Sequence, residues 1–277
     1  MRFVWIGITL VALGLVGWGV AQYLALQPEA TPEIVEDVAE VVEPEPEPYH
    51  SAMVIGRSVE GREIEVERFG RGDTELLFVG GIHGGYEWNS VLLAEEMIGH
   101  FSTNPDAVPD GLRVAIIPNL NPDGYALAVD ENGYVQDLEN RLAEGRFNAN
   151  GVDLNRNFDC KWAPESTWRG QVVSAGTGPF SEPEAAALRD YVLEAEPAAV
   201  VFWHSQANNV YASECHDGPL AETLEIMQLY ADAGEYGAVP VFDAYPITGD
   251  AEGWLATLDI PAITVELESF KSTEWDR

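Results

Sequence analysis

Short runs of apolar, β-branched residues alternate with longer amphipathic segments from about residue 51 onwards. Four of these runs predict buried β-strands: Glu75–Val79, Leu112–Ile117, Ala198–Trp203 and Ala262–Val265. The intervening segments predict helices over Asn89–Phe101, from Pro183 to about Glu196, and near Ala221–Ala233. The second helix is expected to begin at a capping box, Ser181-Glu182-Pro183-Glu184. This alternation predicts an α/β fold with a mixed, mostly parallel central sheet and helices on both faces.

The first 50 residues follow different patterns. Residues 3–26 are uncharged, apolar on all sides and longer than the ~20 residues that span a bilayer. This favours an uncleaved signal anchor over residues 1–26, with a signal peptide cleaved near Gly19-Val20-Ala21 as the alternative. Residues 27–50 are rich in Glu and Pro and lack Lys and Arg, which is typical of an extended linker. We therefore expect residues 51–277 to be an extracytoplasmic domain, either membrane-anchored or secreted.

The charge balance narrows the range of partners. The chain has 47 Asp and Glu against 14 Lys and Arg, a net charge of −33. Nucleic acid is excluded as a main partner because phosphate binding requires a basic face. A polybasic membrane-binding surface is excluded for the same reason, so membrane contact is expected through the N-terminal segment only. The sequence does not predict an oligomeric state.

Histidine and carboxylate residues follow the predicted strands where those strands end. His83 and Glu87 come after the first strand, His204 directly follows the third, and Glu266 ends the fourth. The carboxyl ends of parallel strands meet at one edge of a sheet, where α/β proteins bind their ligands. Two histidines and one carboxylate are a common zinc ligand set, although histidines that only stabilise the fold would also fit this spacing.

Further motifs lie in a specific order around these residues. They are Gly-Gly-Ile-His83-Gly-Gly-Tyr-Glu87, Asn121-Pro122-Asp123-Gly124, Arg146, Gly151-Val152-Asp153-Leu154-Asn155-Arg156-Asn157-Phe158, His204-Ser205, Tyr245 and Thr264-Val265-Glu266-Leu267. In this order the domain resembles the zinc metallocarboxypeptidases, the superfamily of pancreatic carboxypeptidases A and B and their bacterial relatives. The resemblance covers residues 51–270.

The resemblance implies a metal centre and a catalytic base. His83, Glu87 and His204 would bind one Zn²⁺ ion, and Asp153 would orient the ring of His83. Glu266 would be the general base that deprotonates the attacking water.

The resemblance also implies how substrate is held. Arg146 would stabilise the oxyanion, with the nearby Arg141 as an alternative candidate. Asn155 and Arg156 would bind the terminal carboxylate of the substrate, and Tyr245 would cover the terminal residue. Glu252 matches a position that lines the pocket for the terminal side chain, so we expect a preference for a basic terminal residue.

The implied function is an exported zinc metallocarboxypeptidase that hydrolyses the C-terminal bond of peptides. One alternative is a peptidoglycan peptidase or amidase that cleaves γ-D-glutamyl–diaminopimelate bonds in muropeptides. Another is a non-catalytic zinc- or peptide-binding domain. Cys160 and Cys215 would both flank the cleft, where they would form a disulfide or remain two separate thiols.

Three features depart from the family pattern. Three residues separate His83 from Glu87, where two are usual, and Glu268 stands where many members have Arg. The sequence stops eleven residues after Glu266, where the family implies a closing helix. Residues 272–277 are therefore expected to be the start of a helix that is cut short.

Overall fold

The computed structural model describes residues 49–130, 134–136, 143–243 and 245–277. The predicted membrane segment and nearly all of the predicted linker lie outside these residues. Within the described ranges, no helix is long and apolar enough to cross a bilayer.

The described strands and helices alternate along the chain. The strands are β1 (His50–Arg57), β2 (Glu63–Gly70), β3 (Thr74–Val79), β4 (Leu112–Ile117), β5 (Glu165–Trp168), β6 (Gln171–Ser174), β7 (Ala199–Ser205), β8 (Asn209–Ala212), β9 (Gly237–Val239) and β10 (Ala262–Leu267). The described α-helices are α1 (Trp88–Thr103), α2 (Pro122–Ala126), α3 (Pro183–Ala195), α4 (Ala221–Gly234) and α5 (Ala251–Ala256).

Eight of the described strands form one sheet in the order β1-β2-β4-β3-β7-β10-β8-β9. The four strands predicted from the sequence are β3, β4, β7 and β10. They lie side by side in its centre and run parallel to one another. Antiparallel pairings attach β2 to β4 and β8 to β10, while β5 and β6 form a separate hairpin. The predicted mixed, mostly parallel sheet is thus confirmed.

The central strands are buried on both faces, and their successive side chains point alternately to one face and the other. In β7, Val200 and Phe202 pack into one core with residues of α3 and α5. Val201 and Trp203 face the other core, which contains residues of α1 and α4. Strands covered on both faces are apolar throughout, which is why their sequences lack a polar alternation.

Three local predictions need correction. The helix α3 begins at Pro183, but Glu182 occupies the cap position without a side-chain cap bond. The hydroxyl of Ser181 donates to Glu182 Oε1 (2.9 Å), so the predicted capping box does not form. Residues 272–277 form no helix, since Glu274 has a left-handed φ of 57° and breaks the helical path. His50, assigned to the linker, begins β1 and stacks on Phe69.

Candidate metal centre and active site

The ends of β3, β7 and β10 bring the chemistry-bearing residues to one edge of the sheet. His204 lies in β7 directly opposite Glu266 in β10. Side chains alternate along each strand, so His204 and Glu266 lie on the same face of the sheet as Phe202. That face packs against α3 and α5. This register places a histidine and a carboxylate side by side on one face of the sheet, at the carboxyl ends of β7 and β10.

A tight turn after β3 adds the other two predicted ligands. Residues Gly84–Glu87 form one 3₁₀ turn between His83 and the helix α1. Gly84 has a φ of 44°, and a Cβ there would lie 2.7 Å from the carbonyl oxygen of Gly145. The glycine is therefore required, and the extra residue between His83 and Glu87 is absorbed by the 3₁₀ turn.

His83, Glu87 and His204 converge at this edge. One potential ligand atom of each lies within 4.8 Å of the others, and all three residues are buried. The two imidazole rings meet edge to face with centroids 4.9 Å apart. Two imidazoles and a carboxylate suit Zn²⁺ and leave a coordination position for water or substrate. The group predicted to bind a metal is thus present in the fold.

His204 lies between two carboxylates. Its Nδ1 is 3.0 Å from Glu87 Oε2, and its Nε2 is 3.1 Å from Glu252 Oε1. Burial alone would lower the pKa of His204, but the charges of Glu87 and Glu252 outweigh it and raise this pKa well above its ordinary value. The site therefore attracts positive charge, which a divalent cation would supply.

His83 has the opposite surroundings. Burial, followed by the charges of Arg146 and His204, lowers the pKa of His83 well below its ordinary value. The neutral imidazole that results is the form that binds a metal. Its Nδ1 lies 3.6 Å from Asp153 Oδ1, and both atoms are buried without a hydrogen-bond partner. A small ring adjustment would complete the predicted orienting contact.

Arg146 joins two of these carboxylates. Its Nε donates to Asp153 Oδ2 at 2.9 Å, and its NH1 lies 3.7 Å from Glu87 Oε1. The side chain is buried at the wall of the cavity described below. Arg141, the alternative oxyanion residue, lies outside the described residues.

Glu266 faces the same space as the three potential ligands. Burial, followed by repulsion from Glu87, raises the pKa of Glu266 to about 7. Its Oε2 is buried and has no hydrogen-bond partner. An unpartnered carboxylate oxygen with a raised pKa beside a candidate metal group is suited to exchange protons near neutral pH.

A cavity of 710 Å³ extends from these residues. Asn155, Arg156, Asp250 and Glu252 line one part of it, which we call the inner end. Asn155 Oδ1 accepts from the backbone of Ala251 at 2.8 Å, whereas Arg156 Nε is buried without a partner.

Two acidic side chains are also fixed at the inner end. Asp250 caps α5 by accepting from the backbone of Gly253 at 2.7 Å. Glu252, besides its contact with His204, accepts from the Thr264 hydroxyl at 2.9 Å. Glu252 was predicted to line the pocket for the terminal side chain, and it does line the cavity. Its contact with His204 was not anticipated.

A disulfide between Cys160 and Cys215 supports the inner end. The Cys160 carbonyl accepts from the backbone of Gly249 at 2.7 Å, and the Gly249 carbonyl accepts from Phe158 at 2.9 Å. These bonds hold the segment that carries Arg156 against the loop before α5. The hypothesised disulfide is therefore formed. Tyr245 lies in that loop, lines the cavity and has a half-exposed ring 4.8 Å from that of Phe242.

Tyr86, Trp168 and Arg169 line another part of the cavity, which we call the outer end. The sequence analysis did not select these three residues. Trp168 and Arg169 lie at the turn of the β5–β6 hairpin, and Tyr86 belongs to the 3₁₀ turn. The only sequence signal was Arg169-Gly170 between two short polar strands, which marks a hairpin but gives no indication of where it packs.

The sequence of the chain matches the zinc carboxypeptidase (peptidase M14) family over residues 40–273. It is 26% identical to gamma-D-glutamyl-L-diamino acid endopeptidase 1 of Lysinibacillus sphaericus over 80% of the chain and 61% of that protein. It is 28% identical to zinc carboxypeptidase A 1 of Anopheles gambiae over 72% of the chain and 50% of that protein. The chain therefore spans between half and about three fifths of the length of these curated relatives.

Among solved structures, the murein-tripeptide amidase of Escherichia coli O157 superposes with a TM-score of 0.55 at 28% identity. This match covers 78% of the chain and 83% of the amidase. The family match includes every residue of the candidate metal group and of both cavity ends. Since it extends over well over half of the sequence, the chain belongs to the zinc carboxypeptidase family.

Proposed function

We propose that this protein is a zinc-dependent hydrolase that releases the C-terminal residue of peptides. The observation that carries the proposal is one cavity lined by Glu266, the three potential zinc ligands and the buried Arg156. Binding alone does not require a general base, so the position of Glu266 favours an enzyme over a zinc- or peptide-binding domain.

The residues divide the chemistry between them. A zinc ion held by His83, Glu87 and His204 would supply a Lewis acid for the scissile carbonyl. Glu266 would accept a proton from the attacking water and pass it to the leaving amine. Arg146 would donate to the carbonyl oxygen as it becomes negative.

Arg156 would hold the substrate in place. Its guanidinium would bind the terminal carboxylate through paired hydrogen bonds, with the amide of Asn155 as a second donor. Tyr245 would cover the terminal residue from the loop before α5.

The proposal is tested with the purified chain and N-acylated dipeptides. We expect release of the terminal amino acid that a chelator abolishes and added Zn²⁺ restores. Glu266→Gln should lower kcat/KM about 1,000-fold, because the amide cannot accept the proton. The same substitution should leave zinc content unchanged. Release that persists in the metal-free protein or in Glu266→Gln would contradict the assignment.

Cleavage of muropeptides at a γ-glutamyl–diamino acid bond is the second candidate. It is favoured by the names of two relatives, an endopeptidase of γ-D-glutamyl-L-diamino acid bonds and a murein-tripeptide amidase. A murein tripeptide and an ordinary peptide with the same terminal residue, compared by kcat/KM, separate the two candidates.

The acidic inner end suggests a basic or amino-bearing terminal residue. Asp250 and Glu252 both line the cavity beside Arg156, and a cationic side chain would find a counter-charge there. We expect faster release of Lys and Arg than of Phe and Leu from otherwise identical peptides. Faster release of Phe or Leu would reject this preference.

We also propose that the domain acts outside the cytoplasm, tethered by residues 3–26 or secreted after their removal. The apolar segment and the acidic linker of the sequence support this proposal. Membrane fractionation of cells, with N-terminal sequencing of the mature protein, separates the two forms.

A further inference from the structure

The outer end of the cavity is built from aromatic contacts around a tight hairpin turn. The Trp168 ring meets the Tyr86 ring edge to face with centroids 5.0 Å apart, and Tyr86 in turn meets Phe270 at 5.2 Å. Arg169 and Gly170 form the two-residue turn between β5 and β6, with φ angles of 49° and 75°. Two left-handed residues are typical of a type I′ turn, which fixes the direction in which the hairpin projects its side chains.

This turn places a guanidinium over the two rings. The central carbon of the Arg169 guanidinium lies 5.6 Å from the ring centre of Tyr86 and 5.5 Å from that of Trp168. Both distances are within the range of cation–π attraction, so the rings hold the cation at the wall of the cavity. A guanidinium held by aromatic rings keeps its N–H groups available for hydrogen bonds.

Arg169 has no acidic partner among the described residues, although the protein as a whole is acidic. The chain contains 47 acidic residues and 14 Lys and Arg. Within the described residues, a carboxylate lies within 4.0 Å of each of six arginines: Arg57, Arg62, Arg68, Arg146, Arg189 and Arg277. Among these described residues, no carboxylate lies within 4.0 Å of Arg156 or Arg169. Both arginines line the cavity. Among the described residues, two arginines without a carboxylate partner, each able to bind a carboxylate from outside the protein, therefore line one cavity.

The two arginines belong to different ends of that site. Tyr86 precedes Glu87 in the chain, Glu87 contacts His204, and His204 contacts Glu252. Arg169 is packed against Tyr86. Arg156 lies at the same end of the cavity as Glu252, where its charge acts on Asp250. Tyr86, which contacts Arg169, thus adjoins Glu87 of the candidate metal group, whereas Glu252, at the same end as Arg156, contacts His204.

We propose that Arg169 binds a carboxylate carried by the residue on the acyl side of the scissile bond, opposite the terminal carboxylate held by Arg156. This inference rests on the proposed hydrolase function and deepens it by naming a substrate class with two carboxylates. One source is the free α-carboxylate of a γ-linked glutamyl residue. The other is the side-chain carboxylate of an ordinary glutamyl residue.

Two matched pairs of substrates test the proposal, all N-acetylated and all ending in lysine. The first pair has γ-linked D-glutamate or its α-amide before the lysine, and the second has α-linked L-glutamate or L-glutamine. Within each pair only a carboxylate is replaced by a neutral amide. The ratio of kcat/KM within a pair therefore measures recognition of that carboxylate and is independent of the terminal residue.

We expect the wild-type protein to prefer the acidic member of one pair about tenfold, which corresponds to about 1.4 kcal/mol. Arg169→Asn should abolish that preference, and Arg169→Lys should retain part of it because the charge remains without the planar fork. Asparagine is favoured in type I′ turns, so the hairpin should be kept. Arg57→Asn, at a surface arginine paired with Glu63, is the matched control and should keep the wild-type ratio.

The outcomes are distinct. Loss of preference in the γ-linked pair identifies the α-carboxylate as the ligand, and loss in the α-linked pair identifies the side-chain carboxylate. An unchanged ratio in Arg169→Asn, with hydrolysis itself intact and chelator-sensitive, overturns this inference alone. Absence of chelator-sensitive hydrolysis of all four substrates overturns it together with the proposed function.

Discussion

The inner and outer ends of the cavity are constructed differently. At the inner end, three buried residues are held by hydrogen bonds: Asn155 and Arg156 to the backbone, and Glu252 to β10 and His204. At the outer end, Arg169 is exposed on a two-stranded hairpin and is held by contacts with aromatic rings.

The difference shows how one cavity combines precise and adaptable recognition. Buried hydrogen bonds have narrow geometric limits, so the inner end should accept one arrangement of the terminal carboxylate. Stacking contacts on an exposed hairpin tolerate small shifts, so the outer end should alter preference among substrates more than it determines turnover. The following predictions test this contrast, from the largest expected effect to the smallest.

Arg156→Gln should have the largest effect. We expect kcat/KM for a peptide with a free terminal carboxylate to fall about 1,000-fold, since a buried charged hydrogen-bond partner is lost. For the same peptide with an amidated terminus the fall should be much smaller. Steady-state kinetics on the two substrates measures the difference, with Arg57→Gln as a control. Equal losses on both substrates would mean that Arg156 supports the fold rather than the carboxylate.

Removal of the disulfide at the inner end should have the second largest effect, on the stability of the domain. Replacing Cys160 and Cys215 by serine releases a link that spans 55 residues. We expect the free energy of unfolding to fall by about 3 kcal/mol, chiefly because the unfolded chain is no longer constrained. Urea denaturation measures the change, and reduction of the wild-type disulfide provides an independent comparison. An unchanged denaturation midpoint would show that the backbone bonds around Gly249 suffice.

Glu252→Gln should lower zinc affinity about 50-fold. The carboxylate contacts the Nε2 of His204, and a carboxylate acceptor on the far nitrogen orients a ligating ring and increases its basicity. Competition with a fluorescent chelator measures the affinity independently of activity. Asp250→Asn is the matched control, because Asp250 caps α5 instead of contacting His204. Equal affinities in the wild type and Glu252→Gln would leave Glu252 with a role in substrate binding alone.

Asp250→Asn should change stability in a pH-dependent manner. Burial, followed by repulsion from Glu252, raises the pKa of Asp250 to about 6. The folded state then binds the proton more tightly than the unfolded state, so the free energy of unfolding falls as pH rises from about 4 to about 6. Asparagine keeps the helix cap without the charge. The variant should therefore be more stable than the wild type by about 2 kcal/mol at pH 8, with little difference at pH 4.

Urea denaturation at the two pH values tests this prediction. Arg169→Asn, which introduces the same residue at the outer end, should show no such pH-dependent difference. A stabilisation of Asp250→Asn that is equal at both pH values would contradict the charge-based explanation.

The candidate metal group was accessible from the sequence because its members follow strands. An apolar run indicates a buried parallel strand, and the residue after the run lies at the ligand-binding edge of the sheet. His204 and Glu266 satisfy this rule directly, and His83 lies in the loop that follows Val79. Glu87 required the family resemblance, since only the 3₁₀ turn seen in the structure explains its extra residue.

Other features depended on contacts between distant segments. Glu252 is 48 residues from His204, and Arg169 is 83 residues from Tyr86. No pattern in the sequence marks either pair, because each contact arises from how α5 or the β5–β6 hairpin packs on the sheet edge. The predicted capping box failed for a related reason: the Ser181 hydroxyl also accepts from Asn157 (3.0 Å) in a neighbouring loop.

The sequence by itself determined the α/β fold, the four central strands and the residues at their ends, since hydrophobic periodicity is a local property that burial imposes on each strand. It also determined the family, because the family motifs are identified by their order along the chain, which does not depend on how the loops between them fold. The tertiary structure alone decided which carboxylate contacts which histidine, that the two cysteines are joined, and that a second arginine without a carboxylate partner among the described residues lines the cavity. These depend on angles and distances between elements, and such quantities are set by the packing of the whole domain.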